Sequence, residues 1–128
     1  MSKEAVRTES APAPFQGAPY SQAIKANGFV FVSGQLALKP GAKELVPGGI
    51  AEQTEQIVAN LRAILEAAGS SLEQLVKTTV FLQHLDDFAG MNEVYARHIG
   101  DTPPARSTVE VAKLPSGALV EIEAIALL

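Results

Sequence analysis

The sequence predicts an α+β domain in which a mixed β-sheet carries two helices on one face. Three observations lead there. Apolar residues recur at spacings of three and four over two separate stretches, short runs rich in β-branched and aromatic residues surround them, and glycine, proline and asparagine mark the boundaries. The 128 residues suit one domain, and 47% hydrophobic with 19% charged residues is an ordinary balance for a packed core.

Residues 1–18 mix alanine, proline and polar residues without periodicity and read as an N-terminal arm, extended or mobile, ahead of a single domain over residues 19–128. Pro12, Pro14 and Pro19 oppose helix there. A strand over Tyr20 to Ala26, the turn signal Asn27-Gly28 and a second strand over Phe29 to Ser33 make a hairpin. Gly34, directly after it, marks a bulge or a close approach of backbone to another group. Loop follows through Lys39 to Glu44 and Val46 to Gly49, dense in turn residues. Then Ile50, Thr54, Ile57, Val58, Leu61, Ile64, Leu65 and Ala68 draw one apolar stripe along a helix. Glu52 sits in its first turn, where the helix dipole favours negative charge, and Gly69 where a left-handed C-terminal residue belongs. Arg62 and Glu66 are spaced to pair on its surface.

Leu75 to Leu82 is apolar and β-branched enough for a central strand. Asp86 is placed to cap a second helix from about Asp87 to His98, with Phe88, Met91, Val94 and Tyr95 inward. Two last strands, Ala105 to Ala112 and Ala118 to Leu127, are joined through Leu114-Pro115-Ser116-Gly117. With both helices on one sheet face, the other face lacks a cover, which points to burial against copies of the same chain.

Composition removes several classes of chemistry. Without cysteine there is no disulfide, thiolate nucleophile or cysteine-held metal centre. His84 and His98 lie fourteen positions apart with no paired ligand motif, so they read as surface or hydrogen-bonded residues, and no metal or cofactor is expected. Net charge is −4 and the ten basic residues are scattered, which argues against a nucleic-acid partner. No run reaches the roughly 20 apolar residues of a membrane span, and Met1 to Pro14 holds no signal-like apolar core, so a cytoplasmic protein without membrane contact is expected.

The residue with the clearest chemical potential is Arg106, the one arginine of the last thirty residues, set between Pro103-Pro104 and an apolar strand. Its planar fork suits a small carboxylate held by two parallel hydrogen bonds, and equally a structural ion pair with Asp101 or Glu110. Alternation places Arg106, Thr108 and Glu110 on one side of their strand, with Ser107, Val109 and Val111 on the other. In the last strand Val120, Ile122, Ala124 and Ala126 share one face, leaving Glu121 and Glu123 with Ile125 and Leu127. A carboxylate on a partly apolar face needs a partner, a hydrogen bond, water or a function. Tyr20 and Ser33 stand at strand boundaries, where hydroxyls often satisfy local backbone, and Asn92 reads as a polar outer residue of the second helix.

Several segments together resemble the Rid family, the reactive intermediate deaminases also called YjgF-like, and most closely its RidA-type members. They are Pro19-Tyr20-Ser21-Gln22-Ala23, Val32-Ser33-Gly34-Gln35, Leu45-Val46-Pro47-Gly48-Gly49, Val76-Lys77-Thr78-Thr79-Val80-Phe81, Pro104-Ala105-Arg106-Ser107 with Val109 to Pro115, and Glu121-Ile122-Glu123-Ala124. The resemblance implies a chorismate-mutase-like fold assembled as a homotrimer with ligand sites in clefts between subunits. It implies hydrolysis of 2-iminobutanoate, 2-iminopropanoate and related enamines or imines to 2-keto acids and ammonia. Arg106 would hold the substrate carboxylate, Glu121 would position or activate water, and Tyr20, Ser33, Asn92 and Thr108 would line the site. Thr108 stands where some relatives carry cysteine, and Ala18 precedes Pro19 where many have glycine. Two rival readings remain: an endoribonuclease-like enzyme, and a non-catalytic module binding small carboxylates.

Overall fold

Asn27 and Gly28 both adopt positive φ, 52° and 83°, the backbone of the tight hairpin turn whose twist matches paired strands. That turn joins Ala23–Ala26 to Phe29–Gln35 with Ala26 opposite Phe29. The structure, a computed structural model, describes residues 2–128. Within them the strands are β1 (Glu4–Val6), β2 (Ala23–Ala26), β3 (Phe29–Gln35), β4 (Leu75–Leu82), β5 (Ala105–Glu110) and β6 (Val120–Leu127), and the helices are α1 (Ile50–Ala67) and α2 (Phe88–His98). One mixed sheet results, ordered β1-β2-β3-β6-β4-β5 and antiparallel except for β4 beside β5.

Both helices lie on one face, as expected. The α1 stripe buries Ile57, Leu61, Ile64 and Leu65 against Val30, Val32, Ile122 and Ala124 of the sheet. Each such side chain contributes about 1.5–3 kcal/mol through removal from water. Helix α2 meets the same face through Met91 and Tyr95, the Tyr95 hydroxyl lying 2.7 Å from Thr78 Oγ1 on β4. Glu52 accepts a hydrogen bond from the Gly49 N–H at 2.8 Å, which holds its carboxyl below the usual range. At the other end Gly69 at φ 89° lets Ser70 N–H donate to Leu65 O at 2.8 Å and Gly69 N–H to Glu66 O at 3.0 Å, a Schellman stop.

Three expectations are corrected. The arm over residues 1–18 is partly sheet, since Glu4–Val6 pair antiparallel with Ala23–Lys25 and Val6 and Ala11 enter the core. Asp86 does not cap α2; it lies in a 3-10 turn over Leu85–Asp87 that runs into the helix, and Asp87 holds the cap position without a side-chain bond. Arg62 turns from Glu66 to His98, 3.2 Å from its Nδ1, while His98 Nε2 lies 2.7 Å from Glu55 Oε1, tying the two helices together.

The opposite sheet face is uncovered. Phe31, Val109 and Leu127 are 44%, 43% and 41% exposed there, an apolar surface with no second layer over it. No helix among the described residues is long and apolar enough to cross a membrane.

Candidate active site

Between the pairs Val32↔Ala124 and Gln35↔Ile122, the two residues Ser33 and Gly34 face the single residue Glu123. This bulge re-aims β3 at the edge of the open face. Gly34 is also the close approach that its position suggested, because a β-carbon there would collide with the Glu121 carboxylate. Ser33 Oγ donates to Ser21 O at 2.6 Å, leaving its lone pairs to accept from a ligand. The Tyr20 hydroxyl accepts from Phe15 N–H at 2.5 Å, and its own hydrogen remains available.

These groups line a cavity of about 450 Å³ that holds Tyr20, Ser33, Gly34, Glu121 and Glu123, with Phe15, Leu36 and Leu38 among its apolar walls. A second small core of Leu36, Leu38, Leu114 and Ala118 supports it. Side-chain amides hold the loops that form it: the buried Asn60 of α1 donates to Leu36 O at 3.2 Å and Leu38 O at 2.9 Å, and the partly buried Gln83 accepts from Leu114 N–H at 2.9 Å. Burial pushes the Glu121 carboxyl above its ordinary range, and the charge of Glu123 pushes in the same direction. Among the described residues no lysine, arginine or histidine lines the cavity.

Arg106 lies on the other side of the sheet. It pairs with Thr78, whose side chain is buried under the helices, whereas Glu121 pairs with Phe81 on the open face. Strand β4 separates β5 from β6, so Arg106 and Glu121 are not on neighbouring strands. Two strand spacings amount to about 10 Å, and the side chains diverge to opposite faces. The guanidinium stands over the rings of Tyr95 and Phe88, 5.0 and 5.5 Å from their centroids, with Nη1 3.9 Å from Met91 Sδ. Desolvation raises the Tyr95 hydroxyl's pKa, opposed by its Thr78 hydrogen bond and the Arg106 charge. Among the described residues no carboxylate pairs with Arg106, and Glu110 instead accepts from Leu85 N–H at 2.8 Å. The structural ion pair is therefore absent.

Thr108, two residues along the same face of β5, has a buried hydroxyl without a partner. Asn92 is half-buried and falls at helical spacing between Phe88 and Tyr95, the two residues flanking Arg106. The six anticipated residues thus form two clusters: Tyr20, Ser33 and Glu121 in the cavity, and Arg106, Asn92 and Thr108 at the sheet edge. The ring pair around Arg106 and the buried amides escaped sequence reasoning. Asn60 had a signal, because it keeps helical spacing with Ile57 and Ile64 inside an apolar stripe.

The family model described as Endoribonuclease L-PSP matches residues 8–128. A RutC family protein of Pyrococcus abyssi is 52% identical over 126 residues, covering 98% of each chain. The chloroplastic Reactive Intermediate Deaminase A of Arabidopsis thaliana is 48% identical over 128 residues, covering all of this chain and 67% of that one. Among solved structures, E. coli TdcF with bound serine superposes with a TM-score of 0.89 at 38% identity, over 98% of both chains.

Proposed function

The chain belongs to the Rid family, whose model carries the description Endoribonuclease L-PSP, and we propose that it is a deaminase hydrolysing small 2-imino acids, 2-iminobutanoate and 2-iminopropanoate among them, to 2-keto acids and ammonia. The observation that carries this reading is the split between its two clusters. A cavity bearing Glu121 and Glu123 without any lining cation repels a carboxylate ligand, while an arginine without an acidic partner sits across the sheet. One chain cannot join them. A second copy, laying its β5 and α2 edge against the open face of the first, supplies the missing cation and covers the exposed apolar surface. We take the assembly to be a cyclic homotrimer with three such sites, in the cytoplasm, where imines from pyridoxal-phosphate-dependent dehydratases would arise.

The chemistry asks little of the protein beyond placement. Arg106 grips the carboxylate through two charge-assisted hydrogen bonds, pre-oriented by the Phe88 and Tyr95 rings. The unpartnered Thr108 hydroxyl and Asn92 flank that end. Across the interface Glu121 takes a proton from water as its oxygen adds to the electrophilic imine carbon and returns it to nitrogen, giving a carbinolamine; the carboxylate then moves the hydroxyl proton to that nitrogen, so the C–N bond breaks, ammonia departs and the carbonyl forms. Burial raises the proton affinity of Glu121, and the incoming arginine of the second copy opposes that rise. Tyr20 donates and Ser33 accepts within the same cavity. The presence of serine in TdcF supports a small amino-acid-like ligand in a protein of this shape. RNA cleavage finds less support, since two carboxylates and no cation line the cavity.

The test couples a threonine or serine dehydratase to the purified protein and times keto-acid release against semicarbazide trapping. Acceleration over buffer is expected, lost in Arg106→Ala and Glu121→Ala. Lack of acceleration by the wild type, with 2-ketobutyrate still bound, would instead favour a carboxylate-binding module.

A further inference from the structure

The segment between β1 and β2 reaches the cavity with no strand partner of its own beyond residue 6. It nevertheless contributes Pro12, Ala13 and Phe15 to the cavity wall, and the Phe15 N–H holds the Tyr20 hydroxyl. One side chain keeps it in place. Gln22, 5% exposed, accepts from Thr8 N–H at 2.7 Å through Oε1, and its Nε2 lies 3.0 Å from Thr8 O, 3.3 Å from Ala11 O and 2.8 Å from Pro12 O. Its backbone is fixed in turn, because Gln22 O accepts from Ser33 N–H at 3.0 Å at the bulge. A single buried amide thus ties the outer wall to the strand that carries Ser33 and Gly34.

We propose that Gln22 is a positioning residue of the site, a clasp that holds residues 8–15 as the wall of the Glu121 cavity and so shields that carboxylate from bulk solvent while leaving room for the reacting water. The inference rests on the deaminase reading for its effect on turnover but not for the clasp itself. Its chemistry needs an amide. A carboxylate at position 22 would face three carbonyl oxygens with no hydrogen to offer, and a thioether would leave Thr8 N–H and those carbonyls without their partner. The charged and titratable groups that line the cavity with Glu121 are Glu123 from β6 and Tyr20 from the segment before β2. A change in Glu121 ionisation at constant Glu123 and Tyr20 therefore reports the wall.

The experiment follows the Glu121 carboxyl by carbon NMR titration in the Arg106→Ala protein, where no arginine from a second copy contributes, with Gln22 intact or replaced by Met or Asn. Loosening the wall should lower the Glu121 midpoint toward the ordinary carboxylate range, while the far-ultraviolet spectrum stays unchanged. In the otherwise wild-type enzyme the same substitutions should lower kcat/KM by roughly 10–100-fold, with the loss concentrated in kcat. Folded Gln22 variants with an unmoved Glu121 midpoint would overturn the proposal. Should neither variant fold, amide exchange in the wild-type protein decides: Thr8 N–H is expected to exchange slowly, and exchange at free-loop rates removes the clasp. A wild type inactive on every imine would sink the deaminase reading and leave the titration and exchange results to judge Gln22 alone.

Discussion

At position 34 the missing side chain leaves the space that the Glu121 carboxylate fills. Gly34→Ala would meet the far end of a flexible side chain rather than backbone, so the fold should survive while the carboxylate is displaced. A displacement of this order lowers kcat/KM by about 100-fold, with little change in Tm; full activity in Gly34→Ala would separate Glu121 from the chemistry. Glu121 also carries a stability signature. Its folded-state pKa lies above its unfolded one, so the cost of burying the ionised form is fully present above the raised value, shrinks as pH falls from there toward the unfolded value, and vanishes below the unfolded value, where both states are protonated. In the Arg106→Ala background, adding Glu121→Gln should therefore raise Tm at pH 8 and lose that advantage by about pH 4, where the ordinary carboxylate range is reached. Thermal melts across that range check the sign.

At the scale of elements, the loops around the cavity are held by amides projecting from regular structure. Asn60→Ala strips the Leu36 and Leu38 carbonyls of their buried donor, a loss of about 1–3 kcal/mol per abandoned group. Urea unfolding should show that drop, with activity reduced further because Leu36 and Leu38 wall the cavity. The hairpin, α1 and β4 were legible because each follows from local chemistry: Asn27-Gly28, an unbroken stripe, a β-branched run. Strand β1 was not, since three residues between polar neighbours become a strand only through pairing with Ala23–Lys25, about twenty positions away. Arg62 likewise chose His98 on α2 over its helical neighbour Glu66, a choice set by how the helices pack.

In the molecule as a whole, the uncovered sheet face could be anticipated by counting layers, and Phe31, Val109 and Leu127 expose it. The division of the site could not. Each strand's alternation was readable, but which side of the shared sheet Arg106 takes relative to Glu121 depends on pairings of Thr78 with Arg106 and Phe81 with Glu121. Those registers place the two residues on opposite faces, on strands flanking β4 and out of step along it, and the account turns on their meeting between copies. Mixing Arg106→Ala with Glu121→Ala tests this directly. In a cyclic trimer, each mixed assembly contains one interface with Arg106 from one chain and Glu121 from the next. Random exchange at equal amounts should therefore restore about a quarter of wild-type activity from two inactive proteins. A mixture that exchanges subunits yet stays as inactive as its components would contradict a site shared between chains.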